Sequence, residues 1–184
     1  MILPISIYGL PILRKVAEEI TPDYPELNTL IDNMYETLDK SDGVGLAAPQ
    51  VGLSVRLVVV DLDVLSDDFP EYKGFRRIYM NGHILETNDE IKSMDEGCLS
   101  LPGISEPVKR PTRIRVQYVD ADFKAHDEWV DSYLARVLQH EFDHLEGKMF
   151  IDRLAPLRKT MIKGKLTSFL KGKVHCSYKF KCLK

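Results

Sequence analysis

Five residues, His140-Glu141-Phe142-Asp143-His144, constrain this chain more than any other feature, because they set two imidazoles four positions apart within a helical pattern. Residues four apart stack one turn above the other on a helix face, so a single divalent ion can take both rings. Leu134, Leu138 and Leu145 recur around the pair at helical spacing and put Glu141 on the same inward stripe. A carboxylate turned toward a core is costly unless it has a task. Beside a metal that task is to accept a proton from water and return it to a leaving group.

Two histidines leave such a site incomplete, so the third ligand decides its class. The continuation H-x-x-G-x-x-H fails, since Gly147 fits but Phe150 stands at the third His position. No Glu follows Glu146 and no Asp follows Asp152, which removes a downstream carboxylate other than Asp152 itself. Asp152 comes soon after the helix ends and reads better as a cap or as a partner for basic residues. Cys176 and Cys182 lie in a Lys-rich end, whereas Cys98 sits in Glu96-Gly97-Cys98-Leu99-Ser100-Leu101-Pro102-Gly103, where a rigid turn can present a thiolate. A His2Cys site with one open position follows. An internal-amide metallopeptidase and a closed structural or sensory metal site are the competing readings. The closed site has no use for a buried Glu141 that does not ligate.

The rest of the chain frames this site. Its 184 residues are 44% hydrophobic and 29% charged, which suits one soluble domain with its own core. Met1-Ile2-Leu3-Pro4 has no basic lead, and runs such as Leu57-Val58-Val59-Val60 are far short of a membrane span, so a cytoplasmic protein without membrane contact is expected. Three cysteines argue against a disulfide framework there. Asp152 is the last acidic residue and ten Lys or Arg follow it, a block that suits a solvated helix face and an anionic partner such as RNA about equally.

Apolar spacing predicts a helix from Pro25 to just before Gly43 and a second over about Ser132–Glu146 with Gly147 as its stop, and a third helix, over about Pro156–Leu170, begins the basic tail. Strands are predicted at Arg56–Asp61, Ile78–Glu86, Thr112–Asp120 and Phe123–Val130, with Ser66–Lys73 as a surface loop. The order implies an α+β fold of mostly antiparallel sheets packed around a central helix carrying HExxH, with an N-terminal helix and a basic C-terminal helix. Residues 1–184 are read as a single catalytic domain, in which 171–184 is a basic tail that need not be ordered.

Three segments in order, Gly43-Val44-Gly45-Leu46-Ala47-Ala48-Pro49-Gln50, Glu96-Gly97-Cys98-Leu99-Ser100 and Gln139-His140-Glu141-Phe142-Asp143-His144, give the chain a resemblance to the peptide deformylases. Weaker similarity runs from Leu13 to Leu157. The resemblance implies removal of the formyl group from formyl-methionyl nascent peptides with release of formate, by hydroxide on one divalent ion. That ion is Fe(II) natively, with Zn, Ni or Co able to substitute. By motif position, Cys98, His140 and His144 hold the ion, Glu141 is the general acid/base, and Gln50 with the Leu99 backbone N–H meets the developing oxyanion. Gly45 hydrogen-bonds the substrate backbone, Gly43 and Gly97 flank it, and Val44, Leu99 and Val137 are walls for the methionine side chain. A monomer is expected, and the resemblance also implies that the basic C-terminal helix, with Arg158, Lys159, Lys163 and Lys165, contacts the ribosome. One departure is Met80-Asn81-Gly82-His83, where the family commonly has Asn-Pro; a freer backbone is expected there.

Overall fold

The uninterrupted run Leu57-Val58-Val59-Val60 behaves as a strand buried on both faces, and it organises the computed structural model, which describes residues 1–183. In chain order the elements are β1 (Ile5–Ser6), α1 (Leu27–Asp39), β2 (Gly45–Ala47), β3 (Leu57–Asp61), β4 (Arg76–Thr87), β5 (Ile91–Gly97) and β6 (Ser105–Pro111). Then come β7 (Ile114–Val119), β8 (Ala125–Val130), α2 (Ser132–Leu145), α3 (Pro156–Leu170) and β9 (Phe180–Lys181). A five-stranded antiparallel sheet runs β2-β3-β4-β7-β8, β5 and β6 form a separate antiparallel hairpin, and β1 pairs in parallel with β9. The fold is α+β with mostly antiparallel sheets and three helices.

Strand β3 shows why the run has no alternation. Val58 and Val60 pack with Val137, Leu138, Phe142 and Leu145 of α2, while Leu57 and Val59 pack with Leu30, Ile31, Met34 and Leu38 of α1. Each such side chain contributes roughly 1.5–3 kcal/mol by leaving water. In β7, by contrast, Ile114, Val116 and Tyr118 are buried and alternate with more exposed neighbours, the pattern of a strand with one core face.

The structure moves several expected boundaries. Helix α1 begins at Leu27, because Glu26 takes a left-handed φ of 55° and Pro25 stays outside. Strand β8 begins at Ala125, because Phe123 has φ 58° and belongs to the turn. The hairpin β5–β6 was not anticipated. Its inward positions include Glu96, Glu106 and Arg110, all buried, so no hydrophobic alternation marks it. The expected surface loop Ser66–Lys73 contains a 3-10 turn, Pro70–Tyr72, that buries Tyr72.

The backbone at Asn81-Gly82 is pinned rather than freer. The Asn81 amide accepts from Ile20 N at 2.8 Å and donates to Ile20 O at 2.9 Å, and Arg56 donates to Gly82 O at 2.5 Å. A Cβ on Gly82 would come within 2.3 Å of the Phe142 ring, so glycine lets β4 approach the helix that carries the motif.

Residues 171–183 double back over the molecule instead of trailing away. The chain turns at Gly172, buries Val174, and sets Lys179 O and Lys181 O as acceptors for Ile5 N and Ile7 N at 2.9 and 2.8 Å. Lys184, counted in the expected tail, lies outside the described residues. Among the described residues, no helix is long and apolar enough to cross a membrane.

Candidate active site and metal centre

Helix α2 presents His140 and His144 from one face, with ring centroids 5.2 Å apart. Cys98 follows directly on β5 and reaches them across the seam between hairpin and helix. Its Sγ lies 3.3 Å from His144 Nε2, and ligand atoms of Cys98, His140 and His144 all fall within 4.8 Å of one another. Burial raises the Cys98 pKa, yet the adjoining His144 and His140 rings outweigh it and bring the thiol down to about 5, so the sulfur stands ready as a thiolate. One sulfur and two nitrogens suit a transition metal rather than Mg or Ca, and three protein donors leave a position for a reacting molecule. A further sign is unmet polarity: His144 Nδ1 and Glu141 Oε2 are buried without hydrogen-bond partners. The residues present fit one such ion.

His140 is oriented from behind. Its Nδ1 donates to Glu96 Oε2 at 3.0 Å, which leaves Nε2 free to ligate. Burial works against charge on His140, but Cys98 and Glu96 prevail and raise its pKa to about 10. Glu96 accepts from Arg110 Nε and Nη2 at 2.6 and 2.9 Å and from Arg136 Nη1 at 2.8 Å. Arg110, fully buried, also donates to Asp143 at 2.8 Å, and Arg153 donates to Asp143 at 2.7 and 2.6 Å. Burial pushes the Glu96 and Asp143 pKa values up, but these bonds hold both well below the usual carboxylate range. Arg110 thus ties the hairpin bearing Cys98 to the helix bearing both histidines.

Among the described residues, Glu141 has no cation in hydrogen-bond contact. Burial raises its pKa, with the two imidazoles working in the opposite direction. An added Cβ on Gly45 would lie 2.6 Å from Glu141 Oε1, so glycine at the edge strand β2 is what gives this carboxylate its place. Gln50 lies in a 3-10 turn, Ala48–Val51. Its Oε1 accepts from Ala47 N at 2.9 Å, and that bond turns its Nε2 toward Ser100 Oγ at 3.3 Å and Cys98 Sγ at 3.5 Å.

These groups meet in a cleft of about 460 Å³. Gly43, Val44, Gly45, Gln50, Gly97, Cys98, Leu99, Val137, His140 and Glu141 line it, and His144 lies beneath, almost wholly buried. Asp152 lies apart, accepting from Arg14 at 2.5 Å and from Met149 N at 2.8 Å. The sequence reasoning missed Ser100, Arg110, Arg136, Asp143 and the cleft residues His175–Tyr178. Asp143 alone had a visible signal, as a second acidic residue inside the motif.

A sequence model of the family described as Polypeptide deformylase matches residues 2–160. The chain is 46% identical over 188 residues to the peptide deformylase of Flavobacterium johnsoniae, covering 98% of this chain and 96% of that one. It is 42% identical over 181 residues to the peptide deformylase of Cytophaga hutchinsonii, covering 98% and 97%. Among solved structures, a peptide deformylase from Legionella pneumophila superposes with a TM-score of 0.81 at 36% identity, covering 95% of this chain and 100% of that chain. The Thermotoga maritima peptide deformylase superposes with a TM-score of 0.76 at 40% identity, covering 85% and 99%.

Proposed function

The chain belongs to the polypeptide deformylase family, and from that premise we propose that it removes the formyl group from formyl-methionyl nascent peptides, leaving formate and a free amine. The reading rests most on one observation: a buried Glu141 whose Oε2 has no hydrogen-bond partner among the described residues, beside three converging ligand atoms. Cys98, His140 and His144 would hold one divalent ion, Fe(II) in the native enzyme, with Zn, Ni or Co as substitutes. When bound, the ion supplies Lewis acidity to the formyl oxygen and lowers the pKa of water.

The protein groups do the remainder. Glu141 takes a proton from the attacking water and delivers it to the methionine nitrogen as the C–N bond breaks. Burial raises its pKa, which favours the protonated form that must deliver the proton. Gln50 Nε2 and the Leu99 N–H donate to the oxygen on which negative charge develops. Gly45, in the edge strand of the five-stranded sheet, pairs with the peptide backbone as an added strand, with Gly43 and Gly97 flanking it. Val44, Leu99 and Val137 enclose the methionine side chain. Anaerobic purification with elemental analysis, followed by formate release from formyl-Met-Ala-Ser, tests this reading. Turnover of acetyl-Met-Ala-Ser at an equal rate would overturn it in favour of a general amidase.

The same proposal covers the molecule's setting: one catalytic domain over 1–184, built around α2, acting as a cytoplasmic monomer. Its helix α3 is the ribosome-facing surface. In that helix Arg158 donates to Glu106 at 3.3 Å, while Lys159 and Lys165 donate to backbone carbonyls at 2.9 and 2.5 Å. Co-sedimentation with ribosomes that weakens steeply with salt is the expected result.

A further inference from the structure

The cleft has a wall that the catalytic reading leaves unused. His175, Cys176, Ser177 and Tyr178, far beyond the last motif residue, line it alongside Leu99 and Gly43. Their position is built, not incidental. Gly172 closes α3 with its N–H on Phe169 O at 3.0 Å, and Lys173 N bonds Ser168 O at 3.0 Å, which reverses the chain. Val174 then packs with Leu101, Ile104 and Phe169, and beyond the wall β9 joins β1. Between these two anchors Tyr178 donates its hydroxyl to Leu99 O at 2.6 Å, across the rim of the cleft.

The direction in which a bound peptide must run gives this wall a purpose. A strand paired with Gly45 cannot continue past Ala47, because β2 ends there, the chain turns away through Ala48–Val51, and 46–51 are all buried. The other end is open: Asp42 is exposed, and Gly43 and Val44 are half-buried. The residues following the methionine therefore leave between Asp42-Gly43 and His175–Tyr178. His175 and Ser177 are exposed at that gap, with side chains able to donate and accept hydrogen bonds.

The geometry points to His175–Tyr178 as the specificity wall for the second and third residues of the peptide, with Tyr178 as the positioning residue that holds it against Leu99. The inference rests on the proposed deformylase reading and adds to it the means of discrimination among nascent chains.

The test compares formate release from formyl-Met-Ala-Ser and from formyl-methionine amide, which ends before the wall. The metal-loaded full chain, its Tyr178→Phe variant and a His175→Ala/Ser177→Ala double variant are assayed. The ratio of kcat/KM, tripeptide over amide, is expected to fall about five- to tenfold in each variant, the scale of one or two lost hydrogen bonds. A general structural weakening would lower both substrates together, so an unchanged ratio overturns the proposal. Should Tyr178→Phe melt early, the double variant decides alone, since both of its side chains face water.

An unaltered protein that releases no formate from either substrate would instead sink the proposed reaction. The wall is then judged by calorimetric titration with unformylated Met-Ala-Ser. Binding weakened by the same factor in the variants supports it, and equal binding or none overturns it.

Discussion

The five-stranded sheet and the β5–β6 hairpin bury opposite chemistries. The sheet covers its faces with Val58, Val60, Tyr79, Ile114 and Val116, while the hairpin turns Glu96, Glu106 and Arg110 inward beside Val108. Apolar burial is non-directional and stabilises wherever the shape fits. Buried ions contribute little net stability, but each fixes its partners in direction and distance. The hairpin lies against the reacting centre and the far strands of the sheet do not. One region holds the molecule together, and the other holds three ligand atoms in register.

The comparison is best attacked at the reacting centre, where the expected effect is largest. Glu141→Gln should lower kcat about 10^2- to 10^4-fold while metal content by elemental analysis stays at the unaltered level. Loss of the metal along with activity would show that Glu141 supports the ligands instead. Next is Arg110→Met, which strands Glu96 and Asp143 without their shared cation. Urea unfolding should show a loss of about 3–5 kcal/mol, and metal affinity should fall about 10- to 100-fold. In the sheet, Ile114→Ala should cost about 2–4 kcal/mol in the same unfolding experiment and leave metal affinity and kcat in place. If Ile114→Ala loosened the metal as much as Arg110→Met does, the division between the two regions would collapse.

Acid sharpens the contrast further. Glu96 and Asp143 have folded-state pKa values below their unfolded ones, so their stabilisation is complete above the ordinary carboxylate range and fades as pH falls through the lowered values. Metal-free protein should lose unfolding free energy as pH drops below about 4, and the slope should be shallower in Arg110→Met, whose carboxylates titrate closer to normal. The smallest effect belongs to the sheet surface. Arg115, which donates to Glu86 and Asp127 at 2.6 and 2.7 Å across exposed positions, should shift the thermal midpoint little when replaced by Ala, and not at all in high salt.

Legibility in the sequence followed the same division. Where burial is apolar, the pattern of apolar residues located the elements: α2 and strands β3, β4 and β7 came within a few residues of their observed bounds. Where burial is ionic, the pattern was silent. The whole β5–β6 hairpin went unseen, Arg110 with it, and Glu96 stood out only as part of the segment around Cys98. Cys98 was reachable only because two histidines implied a missing ligand, and the three motifs then placed Gln50, Leu99 and Gly45 in the same cleft. No local pattern announced His175–Tyr178, since their placement depends on the pairing of β9 with β1, a contact between opposite ends of the chain that no short window contains.

Arg110 gives the metal centre a further property. Because one guanidinium braces the strand behind the sulfur and the helix behind both imidazoles, the three donors keep their spacing through a framework that owes nothing to the ion. If the proposed ion binds there, such a frame would let it be exchanged for another without refolding. The element recovered with the protein would then record the supply in its surroundings at least as much as any preference written into the chain.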